Sequence, residues 1–253
     1  MLLNYFKTAW RNLVRNKSHS FINLAGLSVG LACSLLILLW VEDELSVDAF
    51  HAKGSRLYKV YEREYYAHHI DGNYDTPGML AEELHKQFPE VEDACTMEEE
   101  NQQAALQAGD KMLKTEGTAA GPGIFRMFSY PLVEGSPATA LGSPLAIALS
   151  EKMAGQFFGS AQNAMSKTIR MNNKKDLTVT AVFRNLPANV SRRFDFAVSW
   201  ESWIQDHTWA REWGSSGPLT FLLLRSDADP ALVDKKLTHF LYDQLAGPAG
   251  GNG

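Results

Sequence analysis

The chain has 253 residues, of which 45% are hydrophobic, 24 are basic and 29 are acidic, for a formal net charge of −5 at pH 7. The first 20 residues hold four of the basic residues and no acid, so the remainder has 20 basic against 29 acidic residues, a net charge of −9. This balance argues against nucleic acid as a partner, because phosphate binding needs a basic face. The two cysteines, Cys33 and Cys95, are too few for a disulfide scaffold.

Residues 1–20 are predicted to form a cytoplasmic lead that contains an amphipathic basic helix. Apolar residues recur at helical spacing from Phe6 to Val14, and the basic residues fall on the other face. Such a helix can lie along the inner membrane surface, although the charges could also serve orientation alone.

Residues 21–41 are predicted to form a transmembrane helix. These 21 positions contain no charged residue, and as a helix they would span roughly 30 Å, the thickness of a bilayer's hydrocarbon core. A secretory signal peptide is the main alternative, but its apolar region is usually about 7–15 residues long. Moreover, the sequence after Val41 shows no small-residue cleavage site.

The charges that flank this span predict its orientation. Basic residues precede it, whereas Glu42, Asp43 and Glu44 follow it directly, so the N-terminus is expected inside and the main domain outside. Within the span, small residues recur at every fourth position, a spacing that permits close helix packing. The expected packing residues are Gly26, Gly30 and Ser34.

Residues 42–246 are predicted to form an extracytoplasmic α+β domain with mixed strands. We expect two lobes, the second inserted between about 100 and 175, and a flexible end at 247–253. Residues 56–66 are typical of a strand, and Thr76 is predicted to cap a helix that runs to about Phe88. Residues 98–100, three consecutive glutamates, are expected at a solvated edge.

Later elements have clear local signals. Ser150 is predicted as the N-cap of a helix that ends at Gly159. Residues 172–176 are predicted to form a hairpin turn between strands at 168–171 and 177–183. Further strands are expected at 91–100, 111–119, 145–150 and 194–199, and a helix after Asp229. The apolar run at 219–225 is too short to span a membrane.

The sequence contains no recognised catalytic or cofactor motif. We find no phosphate-binding loop, nucleophile elbow, paired-histidine zinc motif or C-x-x-C. His68, His69 and Asp71 lie close together, but adjacent histidines lack the spacing that directs two ligands at one ion. No catalytic, cofactor-binding or metal-binding residue is therefore assigned, and the chain is predicted not to be an enzyme.

Several stretches, taken in order, resemble the N-terminal part of a MacB/FtsX-type ABC transporter permease. The resemblance extends from residue 4 to about 245. It is carried by residues 9–13, 17–30, 40–51, 56–60, 148–154, 157–159, 179–183, 186–187 and 194–196. The chain is shorter than such permeases, which have four membrane helices, so we interpret it as a fragment or a truncated product.

The resemblance implies a non-catalytic permease subunit of the inner membrane with a MacB-like periplasmic core domain. It implies four kinds of partner: a separate cytoplasmic ABC ATPase, a second permease copy in a homo- or heterodimer, the lipid bilayer, and an extracytoplasmic adaptor or substrate protein. ATP-driven motion would be relayed outward for export or extraction of substrates such as antimicrobial peptides or lipoproteins. The cytoplasmic coupling interface for this motion is expected at Trp10, Arg11 and Arg15 of the lead. Two alternatives stay open: a single-pass sensor with an extracytoplasmic ligand-binding domain, and an anchored enzyme.

Overall fold

The computed structural model describes residues 2–65 and 67–246, which belong to two compact units. The first unit ends at Ala49, and the second, here called the large domain, begins at Phe50. The predicted flexible end at 247–253 lies outside the described residues, as does Tyr66 within the predicted strand at 56–66.

The first unit consists of two helices, as the sequence predicts. The helix α1 spans Leu2–Arg15, and α2 spans Lys17–Ser46, so the predicted 21–41 span lies within a longer helix of 30 residues. No residue of α2 is buried. A helix with this many exposed leucines, isoleucines and valines needs an apolar surrounding, which a bilayer provides.

The large domain is a mixed α/β structure. Its strands are β1 Leu57–Lys59, β2 Glu62–Tyr65, β3 Ile70–Asn73, β4 Val91–Met97, β5 Gln102–Ala108, β6 Lys111–Ala120, β7 Leu132–Glu134, β8 Ala146–Ser150, β9 Thr168–Met171, β10 Lys175–Phe183, β11 Phe196–Ser199 and β12 Leu219–Leu224. Its helices are α3 Leu80–Gln87, α4 Ile124–Met127, α5 Glu151–Phe158, α6 Ala161–Ala164, α7 Trp200–Asp206, α8 Pro230–Leu237 and α9 Phe240–Ala246.

Ten of the strands form one mixed sheet, in the order β1-β12-β4-β6-β11-β8-β10-β9-β5, with β7 paired to β10. Because β5 also pairs with β6, six strands form a closed ring. The pairs β10–β8 and β11–β6 are parallel, and the other pairs of the ring are antiparallel. The short hairpin β2–β3 stands apart from this sheet.

Three clusters of buried side chains stabilise the large domain. The first fills the ring and extends under α5, α6 and α7, with Leu106, Ile147 and Phe196 among its members. The second packs α4 and the aromatic residues near it against the sheet. The third lies between α3, β12 and α8. The mixed α/β fold class is confirmed, whereas the two lobes and the inserted lobe at about 100–175 stay predictions.

Local predictions with strong capping or turn chemistry agree with the structure. The Ser150 hydroxyl accepts a hydrogen bond from Met153 N at the start of α5, and Gly159 ends α5 with φ 84°. Asn172 and Asn173 turn the β9–β10 hairpin with φ of 50° and 54°. Their short polar side chains tolerate this left-handed backbone.

The predicted N-cap at Thr76 is wrong. The helix α3 begins at Leu80, and its N-cap position, Met79, makes no side-chain capping bond. The Thr76 hydroxyl instead donates to the Pro218 carbonyl at 3.0 Å and lies 2.8 Å from the hydroxyl of Thr220. The Thr76 hydroxyl, which local sequence assigns to a helix cap, thus binds a residue about 140 positions away.

The first prediction concerns Gly117, where the ring requires a residue without a side chain. A Cβ at Gly117 would lie 2.3 Å from Cζ of Phe196, its partner on β11, and that ring is fully buried. Gly117→Ala should therefore lower the free energy of unfolding by about 1–3 kcal/mol through overpacking. Thermal unfolding of the full chain in detergent measures the change.

The matched control is Gly155→Ala in α5, where no atom lies within 4 Å of the added Cβ. That substitution should stabilise the protein by about 0.5–1 kcal/mol, because alanine is the better helix former. Equal effects of the two substitutions would contradict the packing argument.

Candidate functional site

The helix α1 carries two parallel rows of exposed side chains at four-residue spacing. The apolar row is Phe6, Trp10 and Val14, and the basic row is Lys7, Arg11 and Arg15. The side chains of Ala9 and Leu13, which the sequence also assigns to the apolar face, lie outside the described ones. An apolar row beside a basic row suits the boundary between acyl chains and anionic headgroups, or a partner with an acidic rim.

The predicted packing residues of α2 are fully accessible. No atom of the described chain lies within 4 Å of a Cβ built at Gly26 or Gly30. The Ser34 hydroxyl donates to the Gly30 carbonyl at 2.9 Å, so it needs no partner outside its own helix. The row is therefore flat and satisfied in its hydrogen bonds, which permits the close approach of another helix.

The large domain begins with a segment, Phe50–Arg56, that is tied firmly to the loop around α4. The Ala52 N–H donates to the Ser129 hydroxyl at 2.8 Å, and the Ser129 N–H donates to Nδ1 of His51 at 3.1 Å. Lys53 donates to the carbonyl of Arg126 at 3.0 Å. The His51 ring is buried against aromatic neighbours, so this anchor segment has both polar and apolar contacts.

Two arginines extend this attachment into the main sheet. Arg56 donates to Glu92 on β4 at 2.6 Å and to the Leu224 carbonyl on β12 at 2.7 Å. Its hydrogen bond lowers the pKa of the Glu92 carboxyl. Arg126 on α4 donates through Nε and Nη2 to the two oxygens of Asp93 on β4, at 2.6 and 2.9 Å. A force applied to the anchor segment would therefore act directly on β4 and β12.

Glu98 lies in a polar cluster after β4, not at the solvated edge that its acidic run predicts. Its carboxylate accepts from Nε1 of Trp203 and from the amide of Gln102, both at 3.1 Å. Burial raises the pKa of this carboxyl, and the hydrogen bonds and the charge of His207 oppose that rise. The prediction of a solvated edge fails for Glu98, whereas Glu99 and Glu100 are exposed.

Arg192 joins the same cluster from the loop before β11. Its guanidinium donates to the Glu98 carbonyl at 2.5 Å, to Oδ1 of Asn101 at 3.1 Å and to the Thr118 hydroxyl at 3.5 Å. Burial lowers its pKa. The cluster therefore links the β4–β5 connection to β6 and to two segments about 100 residues further along the chain.

The sequence shows the glutamate run and the tryptophan-rich segment as separate features and does not indicate that they are in contact. Glu98 and Trp203 are 105 positions apart. No motif spans that distance. A partial signal was available, because a buried tryptophan needs an acceptor for its indole N–H and glutamates are frequent acceptors.

The described residues give no indication of a metal centre or a reactive thiol. No group of three or more His, Cys, Asp or Glu side chains among them could hold a metal ion. Burial raises the pKa of the Cys95 thiol to about 12, and its Sγ lies within 3.4–3.6 Å of two backbone carbonyls. Cys95 is therefore a core residue whose thiolate is scarcely populated at neutral pH.

An apolar helix long enough to cross a membrane, followed by a mixed α/β domain, defines the class of a membrane-anchored protein with a large domain outside the bilayer core. The sequence model of one family, the MacB-like periplasmic core domain, matches residues 20–240. The chain belongs to this family, a domain of transporter permeases. The comparison with curated proteins found no match.

Solved structures support the same assignment of fold. A domain described as part of a permease from Porphyromonas gingivalis is 20% identical, with a TM-score of 0.61 over 76% of this chain and 85% of that one. The periplasmic region of MacB from Actinobacillus actinomycetemcomitans is 16% identical, with a TM-score of 0.54 over 78% and 87%. The extracellular domain of the ABC-type transporter YknZ from Gram-positive bacteria is 12% identical, with a TM-score of 0.50 over 70% and 88%.

The second prediction concerns the Arg126–Asp93 pair that holds α4 on β4. Arg126→Met should lower the free energy of unfolding by about 1–3 kcal/mol, because it leaves the largely buried Asp93 carboxylate without its partner. Adding Asp93→Asn should recover part of the loss, since the uncompensated charge is then removed. Chemical unfolding of the full chain in detergent gives the three values.

A surface pair supplies the control. Arg225 and Asp227 are 3.1 Å apart, and both side chains are more than half exposed. Arg225→Met should therefore change stability by about 0.5 kcal/mol or less. The role assigned to Arg126 is refuted if Arg126→Met lowers the free energy of unfolding no more than Arg225→Met does.

Proposed function

We propose that this chain is the permease subunit, or the N-terminal part of that subunit, of a MacB/FtsX-type ABC transporter. A separate cytoplasmic ATPase binds and hydrolyses ATP, and the membrane helices pass the resulting motion to the large domain outside. The observation that carries the proposal is the family match over residues 20–240, which joins the apolar helix and the large domain in one unit of homology.

The contacts of the anchor segment support a mechanical role for the large domain. The chain passes from α2 into Phe50–Arg56 within a few residues, and this segment is hydrogen-bonded to α4, β4 and β12. Motion delivered to the large domain at this segment would thus reach the sheet through these hydrogen bonds. The proposal names no residues for the surface of the large domain that would bind an extracytoplasmic adaptor or substrate protein.

The orientation of the chain is part of the proposal. The basic residues before α2 and the acidic residues at its other end favour a cytoplasmic N-terminus and an extracytoplasmic large domain in the inner membrane. In this arrangement the basic and apolar rows of α1 face the cytoplasmic headgroups and the ATPase. The chain itself is non-catalytic in this proposal and needs no cofactor.

The third prediction tests the ATPase partner. The complete reading frame is tagged, expressed and purified from membranes, and the eluate is analysed for a protein with a phosphate-binding loop. Arg11→Glu/Arg15→Glu should reduce its recovery about tenfold or more, because reversing charges at a binding surface turns attraction into repulsion. Arg11→Gln/Arg15→Gln should reduce the recovery of the ATPase less. In this variant Lys7 and Lys17 still maintain the orientation of α2 in the membrane.

Lys114→Glu/Lys167→Glu is the matched control, because it reverses two exposed lysines on the large domain. It should leave ATPase recovery unchanged. If the α1 variants do not change the recovery of the ATPase, the permease proposal stands. The coupling role of Trp10, Arg11 and Arg15 is then wrong. Failure to recover any ATPase would favour the alternative of a single-pass binding protein.

The fourth prediction tests the packing row of α2. Gly26→Leu/Gly30→Leu should reduce co-purification of a second, differently tagged copy by about threefold or more, because leucines prevent close approach of the helices. Ser28→Leu, which enlarges a residue on the opposite side of α2, is the control. Equal losses for both variants would show that bulk anywhere on α2 disrupts the dimer, and the assigned row would then be wrong.

A further inference from the structure

The hairpin β2–β3 interrupts the edge strand of the main sheet. Val60, just after β1, donates its N–H to the Thr220 carbonyl of β12 at 2.8 Å. The neighbouring position on β12, Leu219, pairs with Asp75. The edge of the sheet therefore continues from Val60 to Asp75, and residues 61–74, here called the arm, project from it.

The base of the arm is ordered by its own contacts. The rings of Tyr61 and Tyr74 meet edge to face, with centroids 5.3 Å apart. The Lys59 ammonium lies 4.2 Å from the centroid of the Tyr74 ring, a cation–π contact. A Cβ at Gly72 would collide with the Tyr61 ring, so the glycine lets this ring lie across β3. The arm thus has a defined shape without a partner.

Alternation along the two strands gives the arm two faces. One face is mainly apolar and aromatic: Tyr61, Arg63, Ile70, Gly72 and Tyr74. The other face is polar: Glu62, Asp71 and Asn73. Ile70 is 64% exposed, and no arm residue whose side chain the structure describes belongs to the three buried clusters. The large domain therefore leaves the apolar face of the arm uncovered.

The outer edge of β3 is open to another strand. β3 pairs with β2 along one edge, and in the part of the chain that the structure describes its other edge pairs with no strand. In an antiparallel pair, alternate residues direct their N–H and C=O groups away from the partner strand. The Gly72 N–H donates to Oδ1 of its neighbour Asp71 at 2.8 Å, which assigns Gly72 to this outward set. An open edge of this kind is a template for strand pairing.

Two copies of β3 are complementary in an antiparallel pair with a two-fold axis at Gly72. This register places three kinds of residue opposite each other: Gly72 with Gly72, Asp71 with Asn73, and Ile70 with Tyr74. An aliphatic side chain then packs on an aromatic ring. Asn73 Oδ1 already accepts from the Asp75 N–H at 2.9 Å, so its amide N–H groups can donate to the Asp71 carboxylate of the other copy.

Other registers of this edge are less favourable. An axis at Asp71 would place two carboxylates opposite each other, and an axis at Asn73 would place Asp71 opposite Asp75. Like charges in such positions are destabilising. An axis at Ile70 would pair β3 with residues 67–69, which are not part of a strand. The charges along β3 therefore favour the axis at Gly72 and a second copy of the chain as the partner.

We propose that the arms of two copies of this chain pair through β3 in this register and form a four-stranded antiparallel sheet. Each Gly72 N–H exchanges the Asp71 carboxylate for the Gly72 carbonyl of the other copy, and Asp71 then accepts from the other Asn73. The inference rests on the second permease copy of the proposed function. It assigns that copy a contact in the large domain, separate from the row of small residues on α2.

Disulfide cross-linking in membranes tests the register. Two differently tagged copies of the full chain carry Cys33→Ala, which leaves the buried Cys95 as the native thiol. One copy also carries Asp71→Cys and the other Asn73→Cys. Oxidation with copper phenanthroline should link them, because opposite residues that are not hydrogen-bonded have Cα atoms about 4.5 Å apart. Asp71→Cys in both copies should give at least about threefold less dimer, since diagonal residues are about 7–8 Å apart.

Two controls separate pairing from random collision. Asp71→Cys in one copy and Leu232→Cys in the other combine the arm with an exposed site on α8, and they should cross-link no more than two Asp71→Cys copies. Ile70→Pro removes an N–H that the register directs to Tyr74 of the other copy but leaves the β2–β3 ladder intact. It should lower the yield of the 71–73 disulfide about threefold or more, whereas Ile70→Val should not.

Equal yields from the three cysteine combinations would show collision alone and overturn the proposal, even if Ile70→Pro does not fold. Co-purification of the two tagged copies is scored in the same membranes. Copies that co-purify without forming the 71–73 disulfide would retain the permease dimer and overturn the arm contact. Copies that neither co-purify nor cross-link would contradict both.

A photo-cross-linker tests for a different partner on the same edge. The complete reading frame carries p-benzoylphenylalanine at Ile70 and is irradiated in intact membranes. A cross-link to a second copy of the chain is expected. A cross-link to another protein, with none to a second copy, would assign the edge of β3 to that protein and overturn the proposal.

Discussion

The structure of the large domain depends on β6, which is hydrogen-bonded on different edges along its length. Lys111–Gly117 pair with β5, Gly117–Ala120 pair with β11, and Ala120 also meets Met97 of β4. This strand closes the ring of six and connects it to the β4–β12–β1 part of the sheet. The pairings with β5 and β11 meet at Gly117, where the absence of a side chain admits the ring of Phe196.

The segment that begins the large domain is attached to this sheet by specific bonds. The anchor segment contacts α4 through backbone and side-chain hydrogen bonds, and Arg56 and Arg126 carry the attachment to β4. β4 is the neighbour of β6 in the sheet. These bonds make the anchor segment a fixed part of the large domain.

The cluster around Glu98 shows that a permease domain without a catalytic motif can contain buried groups with shifted pKa values. It collects a carboxylate, a guanidinium and an indole where β4 ends, and the bonds of Glu98 to Arg192 and to Trp203 join distant parts of the chain. Perturbed ionisable groups mark functional sites in many enzymes, but structural networks perturb pKa values as well. Here the hydrogen bonds indicate a structural network, since they join the β4–β5 connection, β6 and α7.

Sequence alone determined the features that depend on near neighbours. The apolar helix, the amphipathic lead, the caps at Ser150 and Gly159 and the Asn172–Asn173 turn follow from periodicity and from local hydrogen bonds. Tertiary structure decided the rest. The strand β5, rich in glutamine and alanine, has little strand signal of its own and forms because β6 and β9 satisfy its backbone. Thr76 and Glu98 likewise bind Pro218 and Trp203, each more than 100 residues away, and the burial that makes those contacts favourable exists only after the sheet has closed.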